Sequence, residues 1–209
     1  MKLLIGVPSH DYMHAEFVKC LTALLRKLEQ DKIAFDLFIN SGTLVYMARD
    51  RIACKAINQL YTHVLWLDAD MVFQPTLLSD LMDCGRDFVS GIAHSRRPPY
   101  ASCVFRRMDD LNHLERFEEY PDQPFEIAGC GFACVLISTE ILKAVQTAYK
   151  SCFTPERDWG EDLTFCRRAK ALGYRMFADP CVRLGHIGHD VIWPEDYTRY
   201  LEELERGDA

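Results

Sequence analysis

The sequence predicts an α/β fold of three layers, with helices on both faces of a mostly parallel, Rossmann-like central sheet. The main reason is that the first half of the chain alternates short apolar runs of β type with stretches of helical periodicity. A second reason is that two carboxylates directly follow the third apolar run, where strand carboxyl ends form ligand sites. The length of 209 residues and the hydrophobic fraction of 49% suit one compact domain with a sizeable core.

Seven elements are predicted in the first half of the chain. The first apolar run ends at Pro8, and the helix after it carries Phe17, Cys20, Leu21 and Leu24 on one stripe. The expected strands are 2–7, 33–39, 64–67 and 88–92, and the expected helices are 13–29, 47–61 and 75–82.

The second half is less regular at first. Residues 93–124 are rich in arginine, proline and acidic residues and contain one strand candidate, 102–105, so we interpret them as an irregular insertion or lid. Gly173 stands where a left-handed cap would end a helix. The other expected strands are 125–127, 132–137, 175–177 and 182–184, and the expected helices are 139–149, 161–172 and one after Pro194.

Composition restricts the classes of function. The formal net charge of -7 argues against a broad electrostatic contact with nucleic acid or an anionic membrane, although Arg96, Arg97, Arg106 and Arg107 leave a local basic groove open. No apolar run is long enough to cross a bilayer, and the start is too short for a signal peptide before Pro8 interrupts it. The nine cysteines form no CxxC pairs, which favours buried thiols in a reducing compartment. We therefore expect a cytoplasmic protein.

Asp68 and Asp70 are the first candidate site residues. They stand two positions apart, just past the buried strand 64–67. Two carboxylates so placed can converge on one hard divalent cation, with a nucleotide diphosphate as a further ligand. An acidic pair at a strand end is also an ordinary solvated turn, so its meaning depends on the rest of the chain.

Arg49 and a glycine turn offer a second set of candidates. Arg49 stands at the start of a predicted helix, where a guanidinium can reach a phosphate or a base, or simply face solvent. Gly129 and Gly131 flank Cys130 between two apolar segments. Glycines in such a turn allow the backbone to approach another group closely, and they also serve in tight turns without a ligand.

Two acids and a histidine complete the candidates. Glu161 and Asp162 stand in the first turn of a predicted helix, where the helix dipole keeps carboxylates ionised and able to take a proton from a hydroxyl. Acids are also common helix-start residues. His186 lies between small or apolar neighbours and can bind a metal such as Mn²⁺, or be a structural histidine. His189 competes for the same role.

Taken in order, these motifs resemble those of GT-A fold glycosyltransferases, in particular small bacterial and phage proteins similar to glycosyltransferase family 2. The resemblance covers nearly the whole chain. The matching segments are 4–10 as the first strand and nucleotide loop, Ala48-Arg49-Asp50 as the start of the next helix, Asp68-Ala69-Asp70 as the DxD motif, Gly129-Cys130-Gly131-Phe132 as the glycine loop, Gly160-Glu161-Asp162 as the xED motif, and His186 as the C-terminal metal-binding histidine.

The resemblance implies transfer of a sugar from a nucleoside-diphosphate sugar to an acceptor hydroxyl, with inversion and with Mn²⁺ or Mg²⁺. The acceptor, whether a glycan, a small molecule, a protein or a modified nucleic acid, is left open. Asp162 would be the base, with Glu161 as its close substitute. The metal would be held by Asp68, Asp70 and His186, and the donor by Pro8, Ser9, His10, Asn40, Arg49, Asp68, Ala69, Gly129 and Gly131.

The same resemblance divides the chain and leaves the donor nucleotide open. We interpret 1–209 as one glycosyltransferase domain, with a nucleotide-binding half at 1–92, the lid at 93–124, an acceptor and metal half at 125–193 and a C-terminal helix at 194–209. Asp50 replaces the usual asparagine, and Asn40 stands where many members have an acidic residue that reads the base.

Three alternatives remain at this point. The run from Asp68 to Val72 also fits the motif of haloacid-dehalogenase-like phosphatases, with Asp68 as nucleophile and Asp70 as acid or base, but those enzymes carry it on the first strand. A sugar-1-phosphate nucleotidyltransferase would have a glycine-rich loop after the first strand, and residues 8–11 contain no glycine. A GT-A-like protein that binds a nucleotide or glycan without transfer is the third.

Overall fold

The computed structural model describes residues 1–10, 12–109, 113–188 and 191–206. The helices within these ranges are α1 Ala15–Gln30, α2 Val45–Asn58, α3 Leu77–Asp83, α4 Thr139–Tyr149, α5 Glu161–Ala171 and α6 Pro194–Arg206. The strands are β1 Lys2–Pro8, β2 Ala34–Asn40, β3 His63–Leu67, β4 Met71–Phe73, β5 Phe88–Gly91, β6 Val104–Phe105, β7 Arg107–Met108, β8 Leu114–Glu115, β9 Phe125–Ile127, β10 Gly129–Cys130, β11 Cys134–Ser138, β12 Met176–Asp179, β13 Leu184–Ile187 and β14 Val191–Ile192.

The central sheet has seven strands in the order β2-β1-β3-β11-β5-β12-β9. Strand β1 pairs in parallel with β2 and β3, and β12 pairs in parallel with β5. Strand β11 runs antiparallel between β3 and β5, and β9 runs antiparallel at the edge. Five of the seven strands therefore point the same way, which confirms the prediction of a mostly parallel sheet.

The hydrophobic core lies on both faces of this sheet. One face packs Trp66 against aromatic rings that include Phe132 and Phe153, with centroid distances of 5.9 and 5.1 Å. The other face receives the apolar stripe of α1, in which Phe17 and Leu24 are fully buried. Burial of each large apolar side chain contributes about 1.5–3 kcal/mol, so the two clusters hold the three layers together.

Strand β11 brings the glycine turn to the ligand edge of the sheet. Its apolar sequence predicts a strand but not the direction of that strand. In the structure it enters the sheet from the carboxyl end of β3. Cys134 pairs with Leu67 at that end, and the backbone N–H of Asp68 donates to the carbonyl of Ala133 at 3.0 Å. Gly129, at the start of the turn, therefore lies at the same edge as Asp68.

The end of α2 differs from the prediction, whereas the glycine predicted to follow α5 is in place, and the cause is local in both. Helix α2 ends at Asn58, three residues before its predicted end, because Leu60 adopts a left-handed conformation with φ of 57° and leads the chain out of the helix. The prediction for Gly173 is confirmed, since this residue follows α5 with φ of 87°. Glycine adopts that conformation without the penalty that other residues bear.

A small second sheet was not predicted. Strand β4 pairs with β13, and β13 pairs with β14. The predicted strand 182–184 lies too early, because Val182 belongs to a turn in which its N–H donates to Asp179, and the strand begins at Leu184. The pairing sets His186 opposite Met71, directly after the two acids.

Residues 93–124, here called the lid segment, contain more regular structure than the single strand predicted. Among its described residues, β6 pairs with β10, and β7 pairs with β8. Helix α6 lies against its start, with the Tyr200 ring 5.8 Å from Tyr100 and the Tyr197 ring 6.0 Å from His94. None of the described helices is long and apolar enough to cross a bilayer.

All nine cysteines are free thiols. Burial raises the pKa of Cys103, in the lid segment, to about 11, so this thiol is protonated at neutral pH. The fully buried thiols are Cys130, Cys134, Cys152 and Cys166, whereas Cys181 is exposed.

Candidate active site

The turn that holds the two acids is fixed from both sides. The N–H of Met71 donates to the carbonyl of Asp68 at 3.2 Å, which closes the turn after β3. The N–H of Ile187 donates to the carbonyl of Asp70 at 2.8 Å, which ties the turn to β13. Because both neighbours are strands, the carboxylates of Asp68 and Asp70 start from a rigid backbone.

A cleft of about 370 Å³ opens above this turn. Its volume lies in the range of small-molecule sites. Four of the residues expected to bind the donor stand apart from its lining: Asn40, Arg49, Gly129 and Gly131. The residues that line it are Pro8, Ser9, His10, Tyr12, His14, Thr43, Val45, Ala48, Asp68, Ala69, Asp70 and Arg96.

Arg49 lies buried beside the cleft and joins three parts of the chain. Only 3% of its surface is exposed. Its Nη2 donates to Asp68 Oδ1 at 2.9 Å, its Nη1 donates to the carbonyl of Phe132 at 3.1 Å, and its Nε lies 3.4 Å from Glu161 Oε1. These contacts make Arg49 a positioning residue for two carboxylates, and its direct contact with a nucleotide stays a prediction.

The carboxylates around Arg49 have perturbed proton affinities. Burial raises the pKa of Asp68, although the Arg49 guanidinium opposes the shift. Burial and then the neighbouring Glu161 charge raise the pKa of Asp162 to about 6, again against Arg49. Acids with strongly perturbed pKa values are more frequent at functional sites than elsewhere. Asp162 is therefore a carboxyl that gains and loses its proton near neutral pH.

Asp70 and His186 form a second polar pair. His186 Nδ1 lies 2.7 Å from the carbonyl of His94, and because a carbonyl only accepts, Nδ1 donates. His186 Nε2 lies 3.4 Å from Asp70 Oδ2. Burial raises the pKa of Asp70, but the hydrogen bond and charge of His186, together with Arg96, outweigh it, so the net pKa is lowered.

The predicted metal ligands fit a divalent ion in part. Two ligand atoms bound to one ion lie about 3 Å apart when each is about 2.1 Å from it, so the 3.4 Å between Asp70 Oδ2 and His186 Nε2 suits a shared ion. Metal-bound histidines usually donate their other N–H to a carbonyl or carboxylate, as His186 does to His94. Asp68 instead directs Oδ1 to Arg49. Within the described ranges, no three His, Cys, Asp or Glu side chains are grouped to hold a metal. His189 lies outside the described residues.

The glycine turn packs against protein atoms. A Cβ at Gly129 would lie 2.3 Å from Met108 Sδ and 3.2 Å from Cys166 Cβ. A Cβ at Gly131 would lie 3.4 Å from Cys103 Cβ and 3.6 Å from the Asp162 carboxylate, which are ordinary contacts. The close approach expected for this turn is therefore made by Gly129 to neighbouring side chains, and Gly131 lies next to the candidate base.

The two glycines make a matched pair of substitutions. We expect Gly129→Ala to lower the free energy of unfolding by about 1–3 kcal/mol, since overpacking forces neighbours to move. Gly131→Ala should change it by less than about 0.5 kcal/mol. Urea unfolding of both variants measures the difference. Equal losses would contradict this account of the turn.

Asp50 has a structural role that the sequence did not reveal. Its Oδ1 accepts the N–H groups of Cys152 and Phe153 at 2.8 and 3.0 Å, and its Oδ2 accepts the Ser151 hydroxyl at 2.6 Å. An asparagine oxygen could accept the same two N–H groups. The aspartate at position 50, where the family usually has asparagine, therefore holds the loop before α5. It gives no information about the donor nucleotide.

Arg168 is a second residue that the sequence analysis missed. Its buried guanidinium donates to the carbonyls of Ser151, Cys152 and Thr154 at 2.9–3.1 Å and to Glu156 at 2.6 Å. The sequence signal for it was a charged residue on the same stripe of α5 as buried apolar residues. Together with Asp50, Arg168 holds the loop that leads into Glu161 and Asp162.

Comparison with solved structures establishes the fold. Neither a protein-family model nor a curated protein sequence matches the chain. Protein A197 from STIV is similar with a TM-score of 0.62 and 19% identity, over 94% of this chain and 92% of that one. GalNAc-T7, solved with UDP, GalNAc and Mn²⁺, is similar with a TM-score of 0.59 and 12% identity, over 96% of this chain.

A third similar structure is the catalytic domain of Drosophila β1,4-galactosyltransferase 7 in complex with xylobiose. Its TM-score is 0.52 at 14% identity, over 87% of this chain and 66% of that one. The chain spans only 47% of the GalNAc-T7 structure. At these identities the likeness concerns the fold alone. The chain has the GT-A fold that its sequence predicted.

Proposed function

We propose that this protein is a glycosyltransferase that moves a sugar from a nucleoside-diphosphate sugar to an acceptor hydroxyl. The observation that carries the proposal is the pair of contacts that Arg49 makes with two carboxylates, here called the Arg49 junction. One buried guanidinium contacts Asp68, at the end of β3, and Glu161, at the start of α5. One of the two carboxylates that line the cleft and the acid next to the candidate base are thus held by a single residue. GalNAc-T7 shares the fold and was solved with UDP, GalNAc and Mn²⁺, which supports the donor class.

In this proposal the donor lies in the cleft at the carboxyl edge of the sheet. Pro8, Ser9, His10 and Ala69 line the cleft on the side of the first strand and the acidic turn. Asp70 and His186 would hold Mn²⁺ or Mg²⁺, with Asp68 as a further ligand once its carboxylate turns from Arg49. A bound divalent ion neutralises charge on a leaving diphosphate. The His94 carbonyl fixes the ring of His186 for that role.

Asp162 is the better candidate for the base. Glu161 Oε1 lies 3.4 Å from Arg49 Nε, so its carboxylate is already engaged in an ion pair. Asp162 has a pKa of about 6, close to the value at which a base is both ionised and able to hold a proton. It would accept the proton of the acceptor hydroxyl while that oxygen attacks the anomeric carbon and the diphosphate leaves from the opposite face. The product is the inverted glycoside.

The acceptor would approach past the lid segment. Cys103 in this segment lies beside Gly131 and within the electrostatic reach of Asp162. This proximity supports a role for residues 93–124 in shaping the acceptor pocket, with residues 1–92 binding the nucleotide and 125–193 supplying the base and a metal ligand. The GT-A fold favours the glycosyltransferase proposal over the phosphatase alternative.

A donor assay tests the proposal. The protein is incubated with UDP-, GDP-, CDP- and ADP-linked sugars and a mixture of monosaccharide acceptors, with Mn²⁺ or with EDTA, and released nucleoside diphosphate is measured. We expect release from one nucleotide class, dependent on Mn²⁺ and lost in Asp70→Ala. The matched control Asp80→Ala removes an acid from α3, away from the cleft lining. Equal release in Mn²⁺ and EDTA would overturn the metal-dependent mechanism.

A further inference from the structure

Arg96 of the lid segment stands at the candidate metal ligands. Its Nη1 donates to Asp70 Oδ2 at 3.0 Å. The same oxygen lies 3.4 Å from His186 Nε2. A divalent ion that binds Asp70 Oδ2 and His186 Nε2 would therefore meet the positive guanidinium at the same oxygen. The ion and Arg96 compete for Asp70.

Arg96 lies in a loop that a backbone hydrogen bond closes. The N–H of Ser95 donates to the carbonyl of Ala101 at 2.9 Å, which closes the loop at its base. Tyr100, in the same loop, packs its ring 5.8 Å from Tyr200 of α6. The Arg96 side chain itself is 52% exposed. It can therefore swing to another partner without moving the loop or losing buried packing.

A diphosphate bound in the cleft would be a second partner for Arg96. Arg96 is the one arginine or lysine among the described residues that line it. Arg49 lies beneath the cleft, where Asp68, Phe132 and Glu161 already surround its guanidinium. A diphosphate in the cleft would need cationic donors, and a guanidinium binds phosphate oxygens in a bidentate, charge-assisted manner.

We propose that Arg96 exchanges partners during donor binding: it pairs with Asp70 before the metal binds and with the diphosphate of the donor afterwards. This inference rests on the proposed function, because it requires both a divalent ion and a diphosphate. Each state keeps the charges paired. In the first, Arg96 and His186 face Asp70; in the second, the ion takes the place of Arg96 at Asp70, and the phosphate oxygens receive Arg96.

Two dissociation constants test the exchange, and they are predicted to change in opposite directions. The first is for Mn²⁺ alone, measured by electron paramagnetic resonance of the free ion. The second is for whichever of UDP, GDP, CDP and ADP binds wild type most tightly, measured by calorimetry in saturating Mn²⁺. In Arg96→Ala we expect Mn²⁺ to bind about two- to fivefold more tightly, because an exposed ion pair no longer competes. We expect the nucleotide to bind about tenfold more weakly, because a charged hydrogen bond is lost.

Arg97→Ala is the matched control, since Arg97 is the exposed neighbour in the same loop. It should keep both constants at the wild-type values, and Arg96→Lys should recover part of the nucleotide affinity. If wild type binds Mn²⁺ and a nucleotide but Arg96→Ala leaves either constant unchanged, the exchange is wrong and the proposed function stands. If wild type binds no Mn²⁺, both are wrong.

Discussion

Replacing Asp162 with asparagine is expected to lower kcat by about 10²- to 10⁴-fold, the usual loss when a general base is removed. Asparagine preserves the size of the side chain but accepts no proton. Because Asp162 does not line the cleft, the dissociation constant of the nucleoside diphosphate should stay at the wild-type value. Steady-state kinetics and calorimetry on the same preparations separate the two effects.

Two variants serve as comparisons for Asp162→Asn. Asp122→Asn removes an exposed carboxylate of the lid segment and should keep full turnover. Glu161→Gln removes the negative charge that pairs with Arg49 and should lower stability as well as turnover. Full turnover in Asp162→Asn would show that Asp162 is not the base.

The pH dependence of turnover follows from the same carboxyl. Burial, and then Glu161, raise the pKa of Asp162 to about 6, while Arg49 opposes the shift and Asp68 adds to it. Only the ionised form accepts a proton, so kcat/KM should rise with pH through about 6 and level off above it. A profile without an inflection in this region would argue against Asp162.

Asp162→Asn should also stabilise the protein at neutral pH. A carboxyl whose pKa is raised on folding, here from 3.8 to about 6, contributes most to stability in acid, and that contribution is lost as pH rises through the folded pKa. Asparagine has no such dependence. Its advantage over wild type should therefore grow between about pH 4 and about pH 7, to an upper bound of about 3 kcal/mol, because each tenfold change in proton affinity is worth about 1.4 kcal/mol. Urea unfolding across this range measures it.

Replacing Arg49 with methionine is expected to lower the free energy of unfolding by about 1.5–3 kcal/mol, since two partly exposed carboxylates lose the cation that they share. Asp68 and Glu161 would then face each other near Asp162 without their shared cation. The loss should be larger at about pH 8 than at about pH 5.5, because Arg49 opposes the raised pKa of Asp68 and Asp162, and its stabilising effect is lost when acid protonates them.

Arg51→Met is the control for Arg49→Met, because Arg51 lies on the same helix with an exposed side chain. It should change stability by less than about 0.5 kcal/mol. In the double variant Arg49→Met/Glu161→Gln, the loss should be smaller than the sum of the two single losses, since the residues share one contact. Additive losses, or a loss below about 1 kcal/mol in Arg49→Met, would contradict the junction described here.

The parts of the fold that depend on local sequence could be predicted. The stripe of α1 is set by residues three and four positions apart, and Phe17 and Leu24 are both buried in the structure. Gly173 was placed by the preference of glycine for positive φ. The position of Asp68 followed from the rule that parallel strands end at one edge.

The direction and pairing of strands depend on partners far along the chain, and there the prediction was incomplete. The apolar sequence of strand β11 is compatible with a parallel or an antiparallel strand. It is antiparallel because it enters the sheet from the glycine turn. Strand β4 has three residues and follows the acidic turn directly, too short for any periodicity. Its pairing with β13 is what places His186 next to Asp70.

The contacts that build the candidate site were equally hidden from the sequence. Arg49 was identified as polar and well placed, but its partners Phe132 and Glu161 lie more than 80 positions away. Asp50 was one of two departures from the family pattern that left the donor nucleotide open, whereas its hydrogen bonds go to residues 151–153. In both positions the sequence supplied the chemical group, and the tertiary fold decided its partner.

A thermal-shift comparison of UDP, GDP, CDP and ADP, each with Mn²⁺ or EDTA, tests whether the cleft binds a nucleoside diphosphate through a metal. A ligand at about 100 times its dissociation constant stabilises the folded state by about 2.7 kcal/mol, which for a domain of this size raises Tm by about 5–10 °C. We predict this shift for one nucleotide, only with Mn²⁺, retained in Asp162→Asn and lost in Asp70→Ala. A Tm that no nucleotide raises in a metal-dependent way would contradict the assignment of the cleft to a nucleoside-diphosphate sugar.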